Sequence, residues 1–91
     1  MKKIIFGNNK NIISKRLKFF RLQKKLTQLE LAAKMQTFNI NIDQQMISKI
    51  EKNARFVTDY ELVCFCRILD VDINDMLKDF NKLWDYYIFI P

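Results

Sequence analysis

The chain has 91 residues and a net charge of +6, split between a basic stretch, 1–58, with 13 Lys/Arg against 3 Asp/Glu, and an acidic remainder, 59–91, with 3 against 7. This length suits one small domain with a modest core, and the charge division fits either a protein that presents one face to a polyanion or a solvated, lysine-rich surface. There is no His, only two Cys and no Gly-rich loop, which excludes a four-ligand zinc site, leaves no nucleophile–base pair to build an enzyme on and implies no cofactor; no apolar run approaches the ~20 residues of a membrane span.

The only Gly and the only Pro are Gly7 and Pro91. Residues 8–90 therefore contain no strong breaker, which favours helices joined by short polar turns over an all-β fold. Over residues 11–25, Ile13, Leu17 and Phe20 recur at four and three, with Lys15, Arg16, Lys18 and Arg21 between them. That is the pattern of an amphipathic helix. Thr27-Gln28-Leu29-Glu30 reads as a capping box opening a second helix, continued by Leu31, Met35 and Phe38. Asn39–Ile42 is poor helix material and reads as a turn, with Asp43 as the N-cap of a third helix and Ile42 as a staple before it. That helix runs to about Lys52, with Ile47 and Ile50 inward and Met46 at the edge. Asn53 can end it in the left-handed conformation. Thr58-Asp59-Tyr60-Glu61 is a second capping box, opening a fourth helix with Leu62, Phe65, Cys66 and Leu69 on one face. Asp72-Ile73-Asn74-Asp75 opens a fifth, with Ile73, Met76, Leu77 and Phe80 available to the core. Cys66 is expected as a packed core thiol and Cys64 as an inert thiol on the outer face of the fourth helix. Residues two apart on a helix point to different sides, so no disulfide joins them. Free thiols and the lack of a signal peptide point to a cytoplasmic protein.

The outward face of the third helix carries Gln44, Gln45, Ser48, Lys49 and Lys52, one continuous polar strip. Gln can read adenine N6 and N7, and Lys guanine O6 and N7, so such a helix suits the major groove of duplex DNA. An ordinary solvated face has the same composition.

Four segments, Arg16–Arg21, Leu26–Ala32, Ile47–Glu51 and Leu69–Ile73, agree in order and nearly in spacing with the phage repressor/Cro (Xre-type) helix-turn-helix family, and the resemblance spans about residues 12–78. It implies an all-α, compact five-helix bundle that binds double-stranded DNA, works as a homodimer and regulates transcription, as a repressor. It implies that Gln44, Gln45, Ser48 and Lys49 read bases, and that Thr27, Gln28, Lys52, Asn53 and Arg55 meet phosphates. Gln28 would also brace the recognition helix, and Arg21 would pair with Glu51 to tie the first helix to the third. Lys25, Asn53 and Asp70 stand where the family has Gly, so Lys25 must occupy a position that favours Gly for its backbone freedom. Met35 and Ser48 are about five residues further apart than in the family pattern, which implies a longer second helix or a wider turn around residues 36–41.

Two units are expected, a DNA-binding domain over 11–80 and an apolar tail over 81–91. Phe19, Leu22 and Ile12 form a second apolar stripe on the first helix. The tail, Trp84 to Pro91, can fold back on that stripe or form a dimer contact. Ile4, Ile5 and Phe6 could pair with it as a short strand. A protein-interaction module, antitoxin-like and using the tail to hold a protein partner, is the alternative function, and RNA binding is a weaker one.

Overall fold

A computed structural model of the chain describes residues 7–80. Five helices follow in order, α1 Ser14–Gln23, α2 Gln28–Thr37, α3 Gln44–Glu51, α4 Asp59–Leu69 and α5 Ile73–Met76. Over the described residues the fold is the all-α, five-helix bundle that the sequence implies. No described helix is long and apolar enough to cross a membrane.

Each helix start has a chemical cause. Thr27 Oγ1 accepts from the Glu30 N–H at 3.0 Å while the Glu30 carboxylate accepts from the Thr27 N–H at 2.9 Å. The backbone hydrogen bond from Thr27 holds the exposed Glu30 carboxyl below its usual range. Thr58 and Glu61 repeat the box at α4. At α3, Asp43 accepts from the Met46 N–H at 2.8 Å, and the Met46 thioether, in place of a carboxylate, accepts from the Asp43 N–H at 3.4 Å. α1 lacks a capping side chain at Ile13; the Asn11 carboxamide oxygen accepts from the Ile13 N–H instead, at 3.1 Å.

The ends of the four longer helices share one solution. Lys25, Asn39, Asn53 and Asp70 have φ of 57°, 62°, 58° and 55°. At each, the next residue donates its N–H back to the carbonyl five residues earlier: Leu26 to Arg21, Ile40 to Met35, Ala54 to Lys49 and Val71 to Cys66. These are Schellman caps, which close a helix through one left-handed residue. Leu26, Ile40 and Val71 then pack against the core.

The core is drawn from every helix and from the α2–α3 connector. Leu17, Leu31, Met35, Ile42, Ile47, Ile50, Phe65, Leu69 and Met76 are all fully buried. Several expectations need correction. Phe38 is the C-cap of α2 and is exposed, because the left-handed turn at Asn39 bends the chain away directly after it and brings Ile40, not Phe38, against the core. Ile73 is also exposed, since α5 has only four residues and turns Met76, not Ile73, to the core. Cys64 is buried rather than on an outer surface. Phe38 and Ile40 line one groove with it, so the connector runs beside that flank of α4. The extra residues between Met35 and Ser48 extend α2 to Thr37 and add a connector over 38–43, where Gln36 donates to the Ile42 carbonyl at 3.0 Å. Phe19 and Leu22 are exposed. The tail, expected either to cover them or to form a dimer contact, and the 4–6 segment lie outside the described residues.

Candidate nucleic-acid interface

Ile47 and Ile50 are fully buried, and that fixes the rotation of α3 about its axis. Gln44, Gln45, Lys49 and Lys52 consequently face outward and Ser48 is half-buried between them. The strip that the sequence singles out is therefore one exposed surface with no side-chain partner recorded on it among the described residues.

The inner side of the same helix is held by a polar clamp. Arg21 on α1 meets Glu51 through two bonds, Nε to Oε2 at 2.7 Å and Nη2 to Oε1 at 3.0 Å. Their side chains are 8% and 4% exposed, so the pair is out of bulk water. Arg21 Nη1 also donates to the Leu26 carbonyl at 2.9 Å, and Gln28 Nε2 to Glu51 Oε1 at 3.1 Å. A carboxylate accepting from a bidentate guanidinium and an amide is fully engaged, which is the condition for tolerating a buried charge. The expected Arg21–Glu51 pair is present, and Gln28 braces α3 through Glu51.

The residues placed beside phosphates divide into two groups. Thr27 is exposed at the start of α2, Gln28 is half-buried behind it, and Lys52 is exposed at the end of α3. Asn53 and Arg55 have work within the fold. Asn53 Oδ1 accepts from the Lys10 and Asn11 N–H groups at 2.9 and 3.1 Å, while its Nδ2 donates to Asn9 Oδ1 at 2.8 Å. Arg55 makes a two-bond pair with Glu61, each bond 3.0 Å, and donates to the Phe56 carbonyl at 2.9 Å. Burial pushes the Glu61 carboxyl up, but the hydrogen bonds from Arg55 and from the Thr58 backbone outweigh it and hold the group below its ordinary 4.5.

Two features escape a reading of the sequence. Asn11 is buried, and its Nδ2 donates to the Ile50 and Arg55 carbonyls at 3.0 Å each, so the N-terminal segment is fastened to the last turn of α3. The Asn-rich stretch 8–11 was the available signal, since Asn readily bonds nearby backbone. Glu61 is a buried acid whose role in a capping box hides its second role as the partner of Arg55.

A family model described as helix-turn-helix matches residues 17–75, well over half of the chain. The chain belongs to the Xre-type helix-turn-helix family. This is a DNA-binding, regulatory family rather than an enzymatic one. In this helix-turn-helix protein α2 and α3 are the paired motif, joined by the connector over 38–43. No curated protein and no solved structure matches it.

Proposed function

We propose that this helix-turn-helix protein is a sequence-specific transcriptional regulator, a repressor, that binds double-stranded DNA as a homodimer with α3 in the major groove. The observation that carries this is the exposed polar strip of α3, braced from behind by the Arg21–Glu51–Gln28 clamp. A reading helix needs side chains turned outward on a backbone that does not shift. Gln44 and Gln45 read adenine edges, Lys49 reads guanine, and Ser48 contacts the base between. Thr27, Gln28 and Lys52 meet the flanking phosphates and set the register. Asn53 and Arg55 support the interface from within the fold. One such helix brings only three or four side chains to base edges, so two copies spaced one DNA turn apart, about 34 Å, supply the rest of the specificity. The protein works in the cytoplasm, where DNA is at hand and its two thiols stay reduced.

The test is selection of bound sequences from random duplex DNA, followed by fluorescence anisotropy across a salt series. Gln45→Ala and Lys49→Ala should each relax the preference at one position of each half-site, by about 1–3 kcal/mol of discrimination. Lys52→Ala should weaken binding evenly across sequences and lower the salt slope by about 1. Absent or salt-insensitive binding overturns the reading. A single half-site bound by a monomer overturns the homodimer alone.

A further inference from the structure

The three bonds that the Asn53 side chain makes are all to residues 9–11, and the Asn11 side chain adds two more to the Ile50 and Arg55 carbonyls. Asn53 sits one residue beyond the exposed Lys52, at the left-handed turn that ends α3. A segment more than forty positions away in sequence is thus carried on the end of the recognition helix. The residue held there by its own backbone N–H, at 2.9 Å, is Lys10. Lys10 is exposed and belongs to none of the ion pairs among the described residues. The nearest acid in the α3 sequence, Glu51, is engaged by Arg21 and Gln28 and does not compete for it.

We propose that Lys10 is a DNA phosphate contact, delivered to the end of α3 by the Asn53 side chain, so that the interface is built from the N-terminal segment as well as from the helix-turn-helix. This rests on the reading of α3 as the DNA-binding helix and extends it to a residue outside the motif. An ammonium on a flexible four-carbon stem suits a phosphate, which demands charge rather than a fixed fork. Fastening the backbone of Lys10 lowers the freedom lost when that stem meets the DNA. The assignment also accounts for an Asn at the end of α3, because the left-handed turn alone would accept Gly.

Anisotropy titrations of the full chain against its selected duplex, from low to moderate salt, test this with five proteins, one of them the Lys10→Ala/Asn53→Ala double variant. The other four are the wild type, Lys10→Ala, Asn53→Ala and Lys78→Ala, the last a lysine of the acidic half. Lys10→Ala should reduce the slope of log K against log salt by about 0.9 and weaken binding several-fold at low salt, with sequence preference unchanged. In the Asn53→Ala background the further loss on removing Lys10 should shrink, since the lysine is no longer held in place. Lys78→Ala should match the wild type. A Lys10→Ala slope and affinity equal to those of Lys78→Ala, beside a wild type with steep salt dependence, overturns the proposal and leaves the role of α3 intact. A wild type without salt-dependent binding overturns both. Lys10 is a surface residue, so its variant folds and decides the matter even if Asn53→Ala does not.

Discussion

Glu51 accepts from Arg21 twice and from Gln28 once, so removing it leaves a buried guanidinium with only the Leu26 carbonyl. Breaking one side of a buried pair costs about 3–5 kcal/mol, far more than removing both. Glu51→Ala should therefore lower the urea midpoint severely, and Arg21→Met with Glu51→Leu should recover most of the loss; a double variant as unstable as the single one would contradict this account. The Arg55–Glu61 pair makes a prediction in pH. Because the Glu61 carboxyl is held below 4.5 in the fold, its contribution is complete above the unfolded value and is lost as pH falls through the lower folded value. The stability gap between wild type and Arg55→Ala should be wide at neutral pH and narrow in strong acid, as read from urea melts. A constant gap would show that the pair contributes nothing through ionisation. The Arg21–Glu51 pair was visible in the sequence because it belongs to a family pattern. The partners of Asn53 and Arg55 were not, because a polar side chain near the end of a helix can bond to its own chain as well as to a phosphate, and only the folded structure shows the intramolecular bonds.

At the scale of helices, the starts were legible and the ends partly so. Thr27, Asp43 and Thr58 announce helices because a short oxygen-bearing side chain three residues before a partner satisfies free N–H groups in any context. The left-handed end at Asn53 followed from its residue type and those at Lys25 and Asp70 from resemblance, while that at Asn39 belongs to the longer connector and had no counterpart to suggest it. The same connector runs beside the buried Cys64, and the residues that share its groove come from a segment whose path no periodicity describes. Lys25 is the least suited of the four, because its long side chain cannot bond locally as Asn and Asp do. Lys25→Gly should raise stability by about 0.5–1 kcal/mol. Asn53→Gly should do the reverse, losing about 1–2 kcal/mol, since the gain in backbone ease is smaller than the loss of its three side-chain bonds. Thermal melts of the two variants moving in the same direction would refute this contrast.

Across the whole molecule, both thiols lie in the core. Burial pushes both up, with Asp72 adding to it at Cys66 and Arg67 acting against it at Cys64. A thiol reagent should accordingly label neither in the native protein except through opening, at rates that rise with urea as unfolding does; prompt labelling of one equivalent would place one of the two thiols in solvent and contradict this. The last turn of α3 has a consequence of the same kind. It is bound on one flank through Glu51 and on the other through Asn53 and the Ile50 carbonyl, so it cannot fray without releasing both α1 and the segment before it. Its amide hydrogens, with those of Lys10 and Asn11, should exchange as one cooperative unit rather than from the helix end inward. The backbone entropy of this turn is thus surrendered during folding, and under the proposed function an incoming duplex would meet a helix already ordered to its final residue.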